Sequence, residues 1–157
     1  MAFFSGYPVL YAFLLALNES KKIKSGFYSN LIRLLPFAYA LSGTLFFGLI
    51  LKVVYPDFSA RNISKQLQPA FLNIWAILSL LFWIPLLHKK PVFSLIHSLV
   101  FFSLVFKDIL LNIGSSISND FIKNDMKMYT ISILLNIITL AVLSVLSFIF
   151  SLMRKKS

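Results

Sequence analysis

The chain alternates between long apolar stretches and short polar links, and this pattern accounts for nearly all of its 157 residues. The apolar stretches, rich in Leu, Ile, Phe, Val and Ala, are residues 2–18, 34–55, 69–87, 91–113 and 128–153. A bilayer core of about 30 Å needs roughly 20 helical residues, and in lipid a helix satisfies the hydrogen bonds of its own backbone. The pattern therefore predicts an all-α, polytopic transmembrane bundle with five spans and a single integral membrane domain.

The first stretch, residues 2–18, is the weakest candidate span, because it is the shortest and carries Gly6 and Pro8 near its start. The alternative is a short interfacial or tilted helix that covers half of the bilayer, which would leave four spans. Three lysines (Lys21, Lys22 and Lys24) follow this stretch and no basic residue precedes it, which is the reverse of a secretory signal peptide. We therefore expect the stretch to be retained as part of the bundle.

The polar links carry local predictions of their own. The pattern of residues 57–68 favours a short amphipathic helix on the membrane surface. Residues 120–127, with acidic and basic side chains side by side, indicate a solvated and self-neutralising loop. The tight link at 88–91 makes the third and fourth stretches antiparallel neighbours, and Pro85 is expected to kink the last turn before that link.

Charge adds an orientation to this picture. The chain has 15 Lys and Arg against 5 acidic residues, for a formal charge of +10. The basic residues fall in links and at segment ends, without a basic face interleaved with aromatics, so we expect no nucleic-acid partner. Cationic loops stay cytoplasmic, which favours an N-terminus outside and a C-terminus inside. The inner side then holds Lys21, Lys22, Lys24, Arg33, Lys89, Lys90, Arg154, Lys155 and Lys156, and the outer side holds Lys52, Arg61, Lys65, Lys107, Lys123 and Lys127.

Both ends of the third stretch and the end of the last one carry residues typical of membrane interfaces. Trp75 and Trp83 are expected to act as interfacial anchors. Arg154, Lys155 and Lys156 close the last stretch as a cytoplasmic anchor. The abundance of Phe, Ile, Lys and Asn is typical of AT-rich genomes, and we expect a bacterial inner (plasma) membrane.

Small residues in the second stretch predict a helix-packing face. Ala38 and Ser42 form a small-xxx-small pair, and Gly43 and Gly48 thin the helix further. Small side chains let helices approach closely in lipid. Pro36 is expected in the first turns of this helix, where its missing N–H costs least.

Ionisable side chains within lipid are functional candidates, and the fourth stretch carries His97, Lys107 and Asp108. His97 and Asp108 are about three helical turns apart, so they share one face, which Ser94 extends toward the cytoplasm. One hypothesis makes this face a polar pathway for a proton, an ion or a small solute, since an imidazole titrates near neutral pH. The alternative is structural: Lys107 and Asp108 reach the outer interface, and His97 bonds to a neighbouring helix.

Cofactor and enzyme chemistry find little support in the sequence. The absence of cysteine excludes disulfides, thiol catalysis and thiolate metal sites. Haem ligation by His88 and His97 is disfavoured, because a tight link separates the two and His88 is expected at the surface. Two histidines without an acidic cluster predict no metal site. The common catalytic motifs of hydrolases, metalloproteases and nucleotide-binding enzymes are absent, which favours a protein that is not an enzyme; a lipid-modifying enzyme stays as a third hypothesis without identifiable catalytic residues.

These observations lead to a hypothesis about function. We expect a non-catalytic integral membrane subunit that packs against or stabilises a larger membrane complex, with the lipid bilayer and other membrane subunits as partners. The alternative is a small transporter or channel with its polar stripe on the fourth span. A pore-forming homo-oligomer is a further form of that alternative.

Overall fold

The computed structural model describes residues 3–20, 26–56, 58–66, 70–114 and 119–156. Their architecture is all-helical, and none of these residues lies in a β-strand. The prediction of an all-α chain is confirmed. The elements are α1 (Tyr7–Ser20), α2 (Gly26–Val54), α3 (Ala60–Gln66), α4 (Ala70–Ile77), a 3-10 helix (Leu78–Trp83), α5 (Pro85–His88), α6 (Pro91–Gly114) and α7 (Asn119–Lys156).

Two helical stretches among the described residues are long and apolar enough to cross a bilayer. They are Tyr28–Val54 in α2 and Lys127–Met153 in α7, each of 27 residues, so each is about 40 Å long. Two shorter apolar stretches, Phe71–Trp83 and Pro91–Lys107, accompany them. Length and composition thus favour a membrane location, but the five predicted spans are not reproduced as five long apolar helices.

Helix α1 differs from the predicted first span, because it is short and begins inside the bundle. Its 14 residues cover about 21 Å, less than the thickness of a bilayer core. Phe4, just before the helix, stacks on Phe101 of α6 with ring centroids 4.9 Å apart. The Asn136 side chain of α7 donates a hydrogen bond to the carbonyl oxygen of Phe3. Helix α1 therefore starts part-way along α6 and α7, and its length matches the alternative of a half-span.

The third stretch, predicted as one helix over 69–87, is divided into three pieces. Helix α4 passes into the 3-10 helix at Leu78, and Ile84 then adopts an extended conformation with φ −72° and ψ 131° before α5 begins. Proline disfavours a helical conformation at the residue before it, and Pro85 occupies the first turn of α5. The kink expected at Pro85 is therefore a full interruption of the helix at Ile84.

The other predicted boundaries hold to different degrees. Helix α6 ends one residue beyond the predicted stretch 91–113, and α3 lies within the link 57–68 as expected. Helix α2 begins at Gly26, so Pro36 lies inside the helix and not in its first turns.

Helix α7 corrects the prediction of a solvated loop at 120–127. It begins at Asn119 and continues without a break to Lys156. Adding a residue to an existing helix costs far less than starting one, so a long apolar helix readily extends into a polar segment.

Helix α2 is the central element of the bundle and contacts α1, the 3-10 helix, α6 and α7. Ala38, Ser42 and Gly43 are buried on it, and Gly43 lies directly against the Ser79 side chain of the 3-10 helix. A Cβ at position 43 would collide with Ser79, so glycine permits this close approach. Gly48 faces open space, because five residues turn it about 140° around the helix from Gly43. It makes no contribution to this packing face.

Helix α7 presents a broad apolar surface outward. Its inward side is narrow and includes Ser132, Asn136, Thr139 and Leu140, which are all buried. An apolar surface of this extent is unfavourable in water and suits lipid or another apolar protein surface. The outward side chains, exposed by 45–63%, are Leu134, Ile137, Ile138, Val142, Val145 and Phe148.

Candidate functional site

His97 lies in the second turn of α6, in an aromatic enclosure. Only 9% of its surface is exposed. The Trp75 indole stacks on the imidazole with ring centroids 4.7 Å apart and a 5° angle between the planes. Phe82 and Tyr39 approach it edge-on at 5.7 Å and 5.6 Å. Three elements, α2, α4 and the 3-10 helix, therefore close around this one side chain.

The polar atoms of His97 are only partly paired. Its Nδ1 lies 2.7 Å from the Tyr39 hydroxyl oxygen, and either atom can donate, depending on the imidazole tautomer. The Trp75 indole N–H donates to the His97 carbonyl oxygen at 3.1 Å. The Nε2 atom is buried and has no hydrogen-bond partner. One ring nitrogen of His97 is therefore left without a hydrogen bond among the described residues.

Ser94, one turn before His97, belongs to the same buried cluster. Its hydroxyl donates to the Pro91 carbonyl oxygen at 2.7 Å, so the Tyr7 hydroxyl 2.7 Å away must be the donor in their shared hydrogen bond. The Tyr7 and Tyr39 rings are 4.6 Å apart. The two tyrosines therefore connect α1 and α2 to the polar face of α6.

Sequence reasoning found the α6 half of this cluster and missed the tyrosines. Ser94 and His97 were candidates because they are polar residues in an apolar stretch. Tyr7 and Tyr39 were counted with the apolar residues of their stretches. A usable signal was present, since a buried tyrosine hydroxyl requires a hydrogen-bond partner. Pairing each tyrosine with its partner still required the arrangement of three helices.

The remaining members of the predicted polar stripe do not join this cluster. The Lys107 side chain is exposed and lies about 15 Å further along the α6 axis than His97. The side chain of Asp108 lies outside the described residues, and its place on the His97 face stays a prediction. The structure thus brings together Ser94 and His97 with two tyrosines, and leaves Lys107 apart.

A second polar cluster surrounds the start of α1. The Gly6 N–H donates to the Ser132 hydroxyl at 2.8 Å, and the Ser5 hydroxyl donates to the same atom at 3.3 Å. Asn136, which is fully buried, donates to the carbonyl oxygens of Phe3 and Ser132. The first N–H groups of a helix have no partner within it, so a helix that starts inside a bundle needs such side chains.

The predicted interfacial anchors occupy different surroundings. Trp75 is half-buried and packs inward on His97, because its ring stacks there and its N–H is used there. Trp83 is 43% exposed and donates to the Thr44 hydroxyl at 3.0 Å. The side chains of Arg154, Lys155 and Lys156 lie outside the described residues.

A cavity of about 520 Å³ opens at the end of the bundle where α2 and α7 meet the link before α6. The His88 ring lies 4.2 Å from the Phe37 ring there, and the buried His88 Nδ1 has no hydrogen-bond partner. The sequence shows that this link is short and basic, but the cavity arises only when α2 and α7 pack beside it. The lining residues are Asn30, Arg33, Leu34, Phe37, His88, Lys89, Pro91 and Ser147.

The two histidines occupy separate sites. His88 lines this cavity against Phe37, whereas His97 stacks on Trp75 within the aromatic enclosure. The described residues contain no group of three or more His, Asp or Glu that could hold a metal ion.

No protein-family model, curated protein or solved structure matches the chain.

Proposed function

We propose that the chain is a non-catalytic integral membrane subunit that packs against and stabilises a larger membrane complex. The observation that carries this proposal is that the buried polar side chains bond to one another across helices. The Tyr7–Ser94 and Tyr39–His97 pairs tie α1 and α2 to α6. Polar groups used as ties between helices support a structural role over a catalytic one.

Helix lengths support a bundle with four crossings and α1 inserted beside them. The pieces from α4 to α5, with the extended residue Ile84 between them, have a summed length of about 33 Å, since an α-helix rises about 1.5 Å, the 3-10 segment about 2.0 Å and an extended strand about 3.3 Å per residue. Helix α6, with 24 residues, reaches about 36 Å. Helix α1 then lies in the half of the bundle next to the end that carries the basic links, and it does not extend to the other end. We propose a bacterial inner membrane with this basic end and the C-terminus in the cytoplasm.

The outward face of α7 is the proposed contact with the partner subunit. Val145 is 58% exposed, while Leu140 on the opposite side is 7% exposed. An apolar face of this breadth packs against lipid or against another membrane helix, and a subunit requires the second. Crosslinking from this face distinguishes the two.

The test places a photo-crosslinking amino acid at Val145 and, as a matched control, at Leu140, with a purification tag at the C-terminus. Membranes are irradiated, solubilised in mild detergent and examined by mass spectrometry. We expect one membrane protein to crosslink at Val145 in stoichiometric amount and none at Leu140. Crosslinks to lipid alone at Val145, together with isolation of the chain as a monomer, would contradict the proposal.

One observation favours the alternative, a small transporter or channel. The Nε2 atom of His97 is buried without a partner, as expected of a group that hands a proton or polar solute along a pathway. His97→Asn keeps a polar atom near the Nδ1 position and removes Nε2. If the alternative holds, the unaltered chain supports flux in liposomes and His97→Asn loses it at unchanged stability. Absence of flux in the unaltered chain removes this alternative.

A pore-forming homo-oligomer gives a different result in the same experiments. Its crosslinks at Val145 would join copies of this chain, and overexpression would depolarise the membrane. Crosslinks to a different membrane protein, without depolarisation, exclude this form.

A further inference from the structure

The cavity at the basic end of the bundle has the composition of a binding site for an anion. Arg33 and Lys89 both line it, and no carboxylate is among its described lining residues. Arg33 and Lys89 are both exposed, and two cations around one opening create a positive potential that attracts an anion. Its volume of about 520 Å³ lies within the range of small-molecule sites, about 300–1,000 Å³.

The donors around the cavity suit the oxygens of a phosphoryl group. An Arg guanidinium binds phosphate through two parallel N–H groups, and a Lys ammonium adds a compact charge. Asn30 and Ser147 add neutral donors to the lining.

The first turn of α6 contributes to the same site. Pro91, the first residue of this 24-residue helix, lies in the cavity lining. A helix N-terminus carries a partial positive charge and favours anions. Arg33, Lys89 and this helix end therefore all make the electrostatic potential in the cavity more positive.

The position of the cavity along the bundle axis indicates that the phosphoryl group belongs to a lipid. Arg33 directly precedes the apolar stretch 34–55, and Lys89 lies between 69–87 and 91–113. This is the level at which apolar segments meet the polar membrane surface, where lipid phosphates lie. Basic pockets between transmembrane helices on the cytoplasmic side bind anionic lipid headgroups. Leu34 and Phe37 give the lining an apolar part, as an amphiphilic ligand requires.

We propose that this cavity binds a phosphoryl group, with Arg33 and Lys89 as its cationic contacts and Asn30 and Ser147 as neutral ones. The apolar side chains next to them suit the glycerol and acyl portion of a phospholipid. Binding is measured on the isolated chain, so its failure is distinguishable from the absence of a partner subunit.

The experiment uses the full chain in neutral detergent micelles. Binding of short-chain phosphatidic acid and of short-chain phosphatidylcholine is measured by native mass spectrometry, with inorganic phosphate as a third probe. We expect phosphatidic acid to bind at least tenfold more tightly than phosphatidylcholine. Arg33→Gln/Lys89→Gln should weaken that binding at least tenfold. The matched control Lys52→Gln/Lys127→Gln removes the same charge from exposed sites outside the cavity and should change it less than twofold.

A second pair of variants tests the cavity without altering charge. Ser147→Leu fills the cavity, and Ser151→Leu makes the same change one turn further along α7, outside the lining. We expect only Ser147→Leu to weaken phosphatidic acid binding. Displacement of the lipid by inorganic phosphate would assign the site to free phosphate, and lipid binding that resists phosphate would assign it to a headgroup. Unchanged binding in Arg33→Gln/Lys89→Gln, or equal loss in the charge control, would overturn the proposal.

Discussion

At the scale of single residues, the bundle depends on polar side chains whose partners lie on other helices. The Tyr39 hydroxyl is 2.7 Å from His97 Nδ1, and Tyr39 is itself fully buried. A polar atom in such surroundings has no water to replace a lost partner. Hydrogen bonds between membrane helices contribute about 0.6 kcal/mol on average, but a buried group left unpaired costs about 1–3 kcal/mol. The cost of the orphaned atom therefore decides the effect of a substitution.

Tyr39→Phe removes one hydroxyl and keeps the ring that packs on Phe82. We expect the free energy of unfolding to fall by about 1 kcal/mol, because His97 Nδ1 loses its partner. Thermal unfolding in detergent, followed by circular dichroism, measures the effect. Tyr55→Phe is the matched control, since Tyr55 is 71% exposed and its variant should stay within about 0.5 kcal/mol. Equal Tm values for the two variants would refute a stabilising Tyr39–His97 bond.

Substitution by alanine is expected to have opposite effects on stability at Gly6 and at Gly48. A Cβ at Gly6 would lie 2.6 Å from the backbone nitrogen of Ile133 on α7, whereas a Cβ at Gly48 would meet nothing within 4 Å. We expect Gly6→Ala to destabilise the chain by about 1–3 kcal/mol through overpacking. Gly48→Ala should be neutral or stabilising by about 0.5–1 kcal/mol, since it lowers the entropy lost in forming the helix. The same Tm measurement tests both, and a Gly6→Ala variant as stable as the parent would exclude the close contact of α1 with α7.

At the scale of the elements, α1 is the helix whose position depends most on its neighbours. It starts within the bundle, where Ser5, Gly6 and Tyr7 are buried. Ser132 accepts from Gly6 N–H, and Asn136 donates to the Phe3 carbonyl oxygen. Inside lipid or a packed core these backbone groups require a protein partner. Helix α7 therefore fixes where α1 begins.

Ser132→Ala is expected to loosen α1 without unfolding the bundle. Because the chain has no cysteine, a Leu10→Cys substitution provides a single thiol at a position that is 7% exposed. We expect Ser132→Ala to raise its labelling rate several-fold, since Gly6 N–H loses its acceptor. Ser151→Ala is the control, because the exposed Ser151 hydroxyl bonds only within its own helix. Equal labelling rates in both backgrounds would show that Ser132 does not hold α1 in place.

At the scale of the whole molecule, charge and apolar surface divide the bundle into zones. The link before α6 and the start of α2 place Lys89 and Arg33 at one end. Lys52 lies in the last turn of α2, toward the other end. The exposed apolar surface of α7 extends between these ends. This arrangement suits a membrane with the more basic end in the cytoplasm.

Single thiols also test this orientation. We expect Lys90→Cys to react with a membrane-impermeant maleimide only when the cytoplasmic side is accessible, as in inverted vesicles. Lys65→Cys, in α3, should react in intact cells. Both lysines are exposed, so reactivity reports the side and not burial. The reverse pattern would contradict the proposed orientation, and labelling of both positions from one side would contradict a membrane crossing between them.

Some of this organisation could be predicted from local sequence. Helix α6 was placed to within one residue, because Pro91 starts it and a mostly apolar stretch continues it. The small residues Ala38, Ser42 and Gly43 were recognised from composition and spacing. The interruption at Ile84 was underestimated as a kink at Pro85, although both follow from one steric rule. The helical state of 120–127 was missed, since its alternating charges are equally compatible with a loop.

The residues of the candidate site, too, could be predicted from the sequence only in part. Ser94 and His97 stand out in any apolar stretch, but Tyr7, Tyr39 and Trp75 become their partners only through packing of four elements. The basic cavity likewise needs Arg33 of α2, Lys89 of the link and Ser147 of α7 to lie side by side. Sequence positions so far apart give no local sign of being neighbours.

The sequence by itself determined the helical class, the apolar surfaces and the concentration of basic residues at segment ends. These follow from local terms, namely side-chain transfer into lipid and the hydrogen bonds of each helix. Only the tertiary structure decided that α1 begins inside the bundle, that His97 is enclosed by aromatic rings, and that Arg33 and Lys89 share a cavity. Those features depend on contacts between distant segments, and in an apolar surround such contacts are set by close packing and hydrogen-bond pairing, which no local pattern encodes.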